Sequence, residues 1–313
     1  MVSVLLTEQL QRVKEVLTTW REVDELVSKL CPSENAEKDA STGTACSTTV
    51  KITDGLVGFL SGNFFGTTWK DEYLGVNATV KKEEDATVAT ENPDGVTFKG
   101  RGAWAEWPVG RQGENRLYHF ANYNFTLVAM VSIDKVPKEG SPIPLIGVKL
   151  NDSGNTVLLG LSYNKEKKWI LLCSGGENTK QSSTWEADTA HQVAIVLQNG
   201  NQGSVYVDGQ SVGGDAQCKL ENTDSKEISH FYIGGDEGSA GSREGVSVTV
   251  SNVLLYNRPL TEEEVGALNP NKAPISPPED VTAAVVVDTP STVVSGPVAQ
   301  KTVSVSTPGG STV

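Results

Sequence analysis

The sequence predicts a mainly β protein, in which a β-sandwich is preceded by one long helix and followed by one short helix and a disordered tail. Short apolar segments separated by turn residues recur along most of the chain. Phe125–Ile133 is the clearest, because apolar residues occupy every second position and several of those between. Asn199-Gly200 and Asp208-Gly209 are typical of tight hairpin turns. The 313 residues are 37% apolar, enough for a sizeable core. We expect residues 49–269 to form this domain.

A helix is predicted over residues 5–30, ahead of the sandwich. Its apolar residues recur at helical spacing and are Leu6, Leu10, Val13, Val16, Leu17, Trp20, Val23, Val27 and Leu30. Pro32 ends the pattern. The rod is about 39 Å long, at about 1.5 Å per residue. Two arrangements fit the stripe, a helix lying on the sandwich or a coiled-coil dimer. The bulk of Trp20 beside small gaps favours packing on a sheet.

Most of the strands follow from short apolar or alternating segments. Those predicted are residues 76–80, 96–98, 125–133, 145–150, 156–163, 169–173, 192–197, 204–207, 211–212 and 231–235. The two partly apolar faces of residues 125–133 indicate a strand between stacked layers.

The stretch of residues 245–268 closes the domain. Val246, Val248 and Val250 alternate with polar residues, which is the pattern of a strand with one buried face, and an apolar run follows as far as Tyr256. Val248 and Val250 are therefore expected to face the core.

A short helix is predicted directly after this strand. Thr261 and Glu264 have the spacing of a capping box, and Leu260 and Val265 have the spacing of the hydrophobic staple around it. Asn269, which precedes a proline, ends the helix.

Composition bears on partners and location. A net charge of −13 argues against nucleic acid, whose binding depends on Lys and Arg neutralising phosphates, and it disfavours anionic membranes. No run of about 18 apolar residues predicts a membrane span. The beginning lacks the basic region of a signal peptide, and the end lacks the hydrophobic tail of a GPI-anchor signal. Residues 270–313 are rich in Pro, Ser, Thr and Val without aromatics, so we expect a disordered stalk open to O-glycosylation.

Four cysteines, Cys31, Cys46, Cys173 and Cys218, allow three pairings. Proximity in sequence favours Cys31–Cys46, which brackets a loop over residues 32–48, and placement across a sheet favours Cys173–Cys218. No CxxC or Cys/His cluster suggests zinc, and we expect no cofactor.

Three N-glycosylation sequons begin at Asn77, Asn124 and Asn151. Together with the even number of cysteines they favour a secreted or cell-surface protein.

The sequence also resembles a known family. Residues 248–258, VTVSNVLLYNR, match the VTVxNVxLYNR motif of the trypanosome trans-sialidase superfamily over its whole length. The fixed positions, which we call the adhesion motif, are Val248, Thr249, Val250, Asn252, Val253, Leu255, Tyr256, Asn257 and Arg258. Residues 191–210, HQVAIVLQNGNQGSVYVDGQ, and residues 100–108, GRGAWAEWP, resemble laminin-G-like domains, the latter as an opening strand.

This resemblance implies a concanavalin A-like (laminin G-like) lectin fold for residues 49–269. It also implies that the helix of residues 1–31 is the connector that joins a catalytic propeller to the lectin-like domain. The superfamily associates the motif with binding host cells and their cytoskeletal or matrix proteins. From the residues alone, the alternating valines favour a strand needed for packing. Asn252, Asn257 and Arg258 are then the members able to reach a partner.

Catalytic residues are sparse in the sequence. The resemblance implies that sialidases of the superfamily use a tyrosine nucleophile and an arginine triad on the propeller, and no SxDxGxTW box of such a propeller is present here. Glu186, Asp188 and His191 approach the ExDxxE pattern of concanavalin-like glucanases but differ at the last position, and we interpret these acidic residues as solvated surface groups.

Other residues able to bind ligands are interpreted as structural. His119, His191 and His230 are isolated in sequence, whereas a metal site needs several convergent ligands. A calcium site among Asp208, Asp215 and Asp236 stays open as an alternative. The tryptophans of the domain are expected in the core, with sugar stacking as the alternative, and they are Trp69, Trp104, Trp107, Trp169 and Trp185.

Three functions are consistent with these observations. The first is a non-catalytic, lectin-like C-terminal module of a trans-sialidase-superfamily cell-surface glycoprotein, which acts in host-cell adhesion or glycan engagement. The second is the accessory half of an active exo-α-sialidase or trans-sialidase, whose upstream propeller this chain contacts. The third is a laminin-G-like module that binds only proteins. The chain itself is expected to have no enzymatic activity, and its longer parent is expected to carry a GPI anchor.

Overall fold

The computed structural model describes residues 2–31, 51–82, 89–99, 103–109, 118–135, 142–154, 156–173, 180–213, 218–220, 227–236 and 247–270. The predicted loop of residues 32–48, with Cys46 inside it, lies outside these ranges, and so do Asp215 and the predicted stalk beyond Pro270. Every helix and strand described belongs to one unit, Met1–Ala273.

Helices flank a large set of strands in the described part of the chain. The helices are α1 (Val2–Ser28), a short 3-10 helix (His119–Asn122) and α2 (Glu262–Ala267). The strands are β1 (Leu56–Phe65), β2 (Thr68–Asp71), β3 (Ala78–Lys82), β4 (Ala89–Asn92), β5 (Gly95–Lys99), β6 (Ala103–Pro108), β7 (Phe125–Ile133), β8 (Ile143–Leu150), β9 (Val157–Tyr163), β10 (Lys168–Cys173), β11 (Lys180–Thr184), β12 (Ala190–Gln198), β13 (Gln202–Val207), β14 (Gln210–Ser211), β15 (Cys218–Lys219), β16 (Ile228–Ile233) and β17 (Ser247–Tyr256).

The strands form two antiparallel layers. In the first layer, β4, β5, β17, β7, β12 and β13 lie side by side in that order, and β1 takes the place of β5 beside the second half of β17. In the second layer the order is β3, β6, β16, β8, β9, β10 and β11. Strand β2 pairs with both β1 and β3 and so joins the layers. The predicted sandwich with a helix before and after it is confirmed.

The space between the layers is filled by one apolar cluster that includes large aromatic side chains. Trp69, Trp107 and Trp169 are fully buried there. Edge-on ring pairs help to fill it, with centroids 5.0 Å apart for Phe125 and Phe231.

A second apolar cluster, which we call the outer cluster, covers the outer face of the first layer. From the sheet it takes Val128 of β7, Ala194 of β12, and Leu254 and Tyr256 of β17. From the helices and the segments beside them it takes Val23, Val27, Leu260, Val265, Ala267 and Leu268. Strand β7 therefore has the core on one side and the helices on the other, which explains the two apolar faces predicted for it.

A bulge at Asn252 reverses the facing of β17. Val250 faces the core before the bulge and Val253 faces the same core after it, although the two are an odd number of residues apart. Asn252 has a φ of +49°, a left-handed conformation that asparagine tolerates better than most residues. Its N–H donates to the Asp94 carbonyl at 2.9 Å. At this point the neighbour of β17 changes from β5 to β1.

Only the C-terminal part of α1 packs on the sandwich. Val23 and Val27 are buried in the outer cluster. The Trp20 indole N–H donates to the Tyr73 carbonyl at 2.8 Å, and the Tyr73 hydroxyl donates to Asp24 at 2.6 Å.

The prediction that the whole apolar stripe of α1 lies on the sheet is wrong for its N-terminal part. The residues that stay exposed are Leu6, Leu10, Val13, Leu17 and Trp20, each by 45–60% of its surface. The reason is length, because a helix of 27 residues extends about 40 Å and contacts the sandwich only near its end.

Helix α2 begins as predicted. The Thr261 hydroxyl accepts from the Glu264 N–H at 3.2 Å, and the Glu264 carboxylate accepts from the Thr261 N–H at 2.9 Å, which completes the capping box. Leu260 and Val265, the predicted staple pair, are both buried in the outer cluster.

The disulfide Cys173–Cys218 is present, and its Cα atoms are 6.2 Å apart. Cys31 is also disulfide-bonded. Its predicted partner Cys46 lies outside the described residues, so that pairing stays a prediction.

The predicted hairpin turns are confirmed by their backbone angles. Asn199 and Gly200 have φ of +53° and +70°, and Asp208 and Gly209 have +50° and +77°. Positive angles at both central residues define the type of tight turn that asparagine or aspartate followed by glycine favours.

Candidate functional site

The adhesion motif forms most of β17, and its apolar members are inside the protein. Val248 and Val250 face the core as predicted. The buried members are Val248, Val250, Val253, Leu255 and Tyr256. Thr249, Asn252 and Arg258 are half-buried, and Asn257 is exposed. Packing therefore accounts for the apolar positions of the motif.

Arg258 lies where β17 ends and α2 begins. Its two terminal nitrogens contact the two carboxylate oxygens of Glu264 at 2.9 and 3.1 Å, and its Nε donates to the Asp54 carbonyl at 2.9 Å. The Arg258 carbonyl in turn accepts from the Thr126 hydroxyl at 2.9 Å. Sequence analysis expects this side chain to be available to a partner, whereas the structure uses it to join β17 to α2.

The charge of Arg258 sets the ionisation of Glu264. Burial acts to raise the pKa of Glu264, but hydrogen bonds from Arg258 and the Thr261 N–H, together with the positive charge of Arg258, lower it below the ordinary value. The ionised carboxylate thus both completes the helix cap and neutralises the arginine.

A cavity of about 130 Å³ lies beside the motif, on the outer face of the first layer. Its lining consists of Leu30, Ile52, Val128, Ala129, Met130, Gln192, Asn252, Leu254, Leu268 and Pro270. Asn252 belongs to the motif. Sequence analysis did not single out Gln192. A glutamine inside the apolar run of β12 is nevertheless a pattern that could have marked this position.

The glucanase-like residues do not form a carboxylate pair. Glu186 accepts a hydrogen bond from Lys167 at 2.7 Å near the surface. Asp188 has a φ of +58° in the turn before β12. His191 instead pairs through Nδ1 with Asp208 at 2.7 Å, and Asp208 also accepts from the backbone N–H that follows His191, at 2.9 Å.

Of the candidate calcium ligands, Asp215 lies outside the described residues, and the other two have partners of their own. Asp208 holds His191, and Asp236 forms a 2.5 Å ion pair with Lys149, in which both side chains are largely buried. Within the described ranges, no group of three or more His, Cys, Asp and Glu side chains is placed to hold a metal ion.

The remaining histidines make local contacts. His119 Nδ1 lies 3.3 Å from the Asn122 side-chain nitrogen, and His230 Nδ1 lies 3.0 Å from the Ser229 hydroxyl. Both contacts are with near neighbours in sequence, as expected for structural residues.

The tryptophans named as sugar-stacking alternatives are all buried. Trp69, Trp107, Trp169 and Trp185 are 0% exposed and Trp104 is 5% exposed, so none presents a ring face to solvent. The core interpretation is confirmed.

The sequons differ in accessibility. Asn77 and Asn151 are exposed. Asn124 is half-buried, its side-chain oxygen accepts from the Asn199 N–H at 2.9 Å, and the third residue of its sequon, Thr126, is fully buried.

Sequence analysis did not single out Asp71, a buried carboxyl between β2 and the following turn. Burial raises the pKa of Asp71, while hydrogen bonds from the Phe59, Tyr73 and Gly75 N–H groups and the Tyr118 hydroxyl oppose that rise. Burial and the nearby Asp71 charge raise the pKa of Tyr118. This network joins β1, β2 and the 118–123 segment, and its signal in the sequence is only one aspartate at a strand end.

No helix in the described part of the chain is long and apolar enough to cross a membrane. The fold and the site define a mainly antiparallel β-sandwich of the lectin-like class, with a long helix at its beginning.

Comparisons with known proteins identify the family. The family model of the trans-sialidase C-terminal domain matches residues 52–263, and the chain belongs to the trans-sialidase superfamily. It is 35% identical to Sialidase 85-1.1 of Trypanosoma cruzi over 283 residues, which cover 86% of this chain and 34% of that protein. It is 37% identical to Sialidase 85-1.3 of the same organism over 186 residues, which cover 59% of this chain and all of that protein.

A solved structure is similar over the same region. The sialidase of Trypanosoma rangeli, solved in complex with 2,3-difluorosialic acid, matches with a TM-score of 0.68 and 39% identity, over 83% of this chain and 38% of that one. The chain thus spans about a third of the length of Sialidase 85-1.1 and of the T. rangeli enzyme.

Proposed function

We propose that this chain is the non-catalytic, lectin-like C-terminal module of a cell-surface glycoprotein of the trans-sialidase superfamily, and that it acts by engaging glycans during host-cell adhesion. The observation that carries the proposal is the family match, which falls on the C-terminal domain of the family and covers the sandwich described above.

The pairing of ionisable side chains supports a module without catalysis. In the described part of the chain, Lys149 pairs with Asp236, His191 with Asp208, and Arg258 with Glu264. Each pair joins structural elements, and none brings two carboxylates together as glycoside hydrolysis normally requires.

The surface at the end of the motif supports an adhesive role limited to a few groups. Asn257 is exposed, and it lies between the buried Tyr256 and the half-buried Arg258. A host protein or glycan would therefore contact Asn257 and the adjoining surface, while the valines of the motif maintain the strand.

The test of this proposal is a glycan array probed with the full chain, together with a fluorogenic sialoside assay. We expect binding to host-type glycans and no release of fluorophore above a blank. Sialoside hydrolysis by the pure chain would contradict the non-catalytic assignment. Binding to cytoskeletal or matrix proteins without any glycan binding would favour the laminin-G-like alternative.

The exposed stripe of α1 supports a second function, that of an accessory half which contacts a catalytic propeller in a longer protein. Leu6, Leu10, Val13 and Leu17 are exposed along one helix face, and such a contiguous apolar surface marks an interaction site. We propose that the propeller covers this face.

A pair of charge insertions tests the second function. The Leu10→Glu/Leu17→Glu double variant should lose binding to a separately expressed superfamily propeller in a titration. The control Gln11→Glu/Thr18→Glu adds the same charge at neighbouring exposed positions and should bind normally. Equal binding by both variants would show that the stripe is not the contact.

A further inference from the structure

The cavity beside the adhesion motif lies on the outer face of the first layer. Gln192 of β12 pairs with Met130 of β7, which pairs with Ser251 of β17 next to Asn252. Gln192, Met130 and Asn252 therefore form a row across three neighbouring strands, and all three line the cavity. Met130 and Asn252 are half-buried and Pro270 is exposed, so this side of the cavity opens to solvent.

Gln192 supplies an unusual group to this cavity. The residue is 1% exposed, and within the described structure neither its side-chain nitrogen nor its side-chain oxygen has a hydrogen-bond partner. Its backbone, in contrast, is fully used, donating to the Asp208 carboxylate at 2.9 Å and accepting from the Asp208 N–H at 2.8 Å. A buried amide is costly to leave unpaired, so this side chain calls for a ligand or water.

The rest of the lining selects the chemistry of that ligand. Val128, Leu254 and Leu268 are apolar walls. The amide of Gln192 lies in the wall with almost no accessible surface and carries one donor group and one acceptor side by side. A carboxylate would use only the donor and an ammonium only the acceptor. A bare hydroxyl would satisfy the amide but leave the apolar walls without a partner. An acetamido group satisfies both, because its N–H and C=O match the amide and its methyl group matches the walls.

The volume limits the size of the ligand. A cavity of about 150 Å³ takes a molecule the size of benzene. The 130 Å³ here therefore fits the four heavy atoms of an acetamido group with part of the ring that carries it. An extended peptide would need a longer groove along the sheet, which favours a sugar over a peptide amide.

We propose that this cavity binds the acetamido group of an N-acetylhexosamine, with Gln192 as the paired donor and acceptor and Asn252 at its rim. The assignment rests on the proposed glycan engagement and names the chemistry that one site would recognise. It also gives Asn252 of the motif a role at a ligand-binding edge, beyond its backbone conformation.

The test follows the side-chain NH₂ signal of Gln192 in a ¹⁵N–¹H correlation spectrum of the full chain. The signal is assigned by its loss in Gln192→Leu. Three probes are titrated separately: methyl N-acetyl-β-glucosaminide, methyl β-glucoside, and N-acetylalanine methylamide as a peptide mimic. We expect the acetamido sugar to shift the signal saturably and the glucoside to leave it unchanged. The peptide mimic carries the same acetamido group without the sugar ring and should bind more weakly, because part of the ring also fills the cavity.

Two variants on the same strand give the matched comparison. Gln192→Leu should fold with an unchanged or higher thermal midpoint, because it removes an unpaired buried amide. It should bind the acetamido sugar at least tenfold more weakly, measured from the backbone signals of Met130 and Asn252, which also line the cavity and remain in the variant. Gln192→Met serves the same purpose should the leucine variant not fold. Gln198→Leu, at the exposed end of β12, should bind the sugar as the wild type does.

The other outcomes overturn either this assignment or the proposed function. An equal response to the glucoside removes the acetamido specificity, and a stronger response to the peptide mimic makes the site a peptide site. No response to any probe, with the Gln192 NH₂ in contact with water, makes the cavity a water site. Glycan-array binding that persists in Gln192→Leu while the probes fail would leave the proposed function intact and reject only this site. A saturable probe response with an empty array would reject the adhesive function and retain the site.

Discussion

Replacing Arg258 with alanine tests whether the end of the motif is structural. In the wild type the arginine holds both carboxylate oxygens of Glu264, and the two side chains are only 27% and 12% exposed. Hydrogen bonds to charged groups contribute about 1.5–3 kcal/mol, whereas exposed ion pairs contribute about 0–1 kcal/mol. For this partly buried pair we expect Arg258→Ala to lower the free energy of unfolding by about 1–2 kcal/mol.

Thermal unfolding followed by circular dichroism measures this loss. For a domain of this size, about 1 kcal/mol corresponds to about 2–4 °C, so a loss of about 1–2 kcal/mol should lower the midpoint by about 2–8 °C at pH 7. Arg21→Ala, at an exposed position on α1, is the matched control and should shift the midpoint by less than about 1 °C. The sequence alone leads to the opposite expectation, that Arg258→Ala leaves stability nearly unchanged.

The pH dependence gives the same experiment a second measurement. Because the folded pKa of Glu264 is lowered, its contribution is fully present above the ordinary value of about 4.3 and is lost as the pH falls through the folded pKa. The gap between the wild type and Arg258→Ala should therefore narrow below about pH 4. A midpoint within about 1 °C of the wild type at pH 7, or a Glu264→Gln/Arg258→Ala double variant with purely additive losses, would refute the coupling.

Three further predictions concern neighbouring features. Val250→Asp should abolish cooperative unfolding, because it buries an unpaired charge in the core at a cost of at least about 3 kcal/mol, and a native-like thermal transition would contradict this. Asn252→Gly should unfold within about 1 °C of the wild type, while Asn252→Val should lose about 1–2 kcal/mol, because a β-branched residue is strained at positive φ; equal midpoints would remove the bulge argument. Expression in a secretory host followed by deglycosylation and mass spectrometry should find glycan on exposed Asn77 and Asn151 and none on Asn124, because Asn124 is half-buried and Thr126 of its sequon is fully buried; full occupancy at Asn124 would show that this burial does not protect it.

Much of the fold could be predicted from the sequence, because hydrophobic alternation and turn residues indicate the same strands and turns within each short segment. Phe125–Ile133 is a strand with the bounds predicted for it, and the capping box of Thr261 and Glu264 starts α2. Both signals are local, so one segment is enough to recognise them.

Among the strands that the structure describes, five are predicted neither by the sequence pattern nor by the family resemblance, namely β1, β2, β4, β11 and β15. In β1, Gly58 and Gly62 interrupt the apolar alternation. The structure uses them for close approach, because a Cβ on Gly62 would lie 2.1 Å from the Pro93 carbonyl oxygen. The need for glycine arises from the turn between β4 and β5, which is distant in sequence, so the local pattern cannot reveal it.

The candidate site was harder to predict from the sequence than the fold. The outward side chain of Gln192 becomes a buried amide only because the segments that follow α1 and α2, with Leu30 and Leu268, cover that face of the sheet. The stripe of α1 shows the opposite error, because it was expected to be buried on the sheet and is exposed. Periodicity shows that a helix face is apolar but not which surface covers it. Both features depend on which elements meet, and that is a property of the tertiary structure.

The bulge at Asn252 determines what the adhesion motif presents to a partner. It turns Val253 and Leu255 into the core that already holds Val248 and Val250, so Asn257 is the member of the motif that the folded domain leaves exposed. A synthetic peptide of residues 248–258 has no sandwich to bury its valines and offers them all to solvent. Binding by such a peptide therefore reports a different surface from that of the domain. If the folded chain and the peptide compete for one host protein with equal potency, the burial of the motif does not limit its recognition.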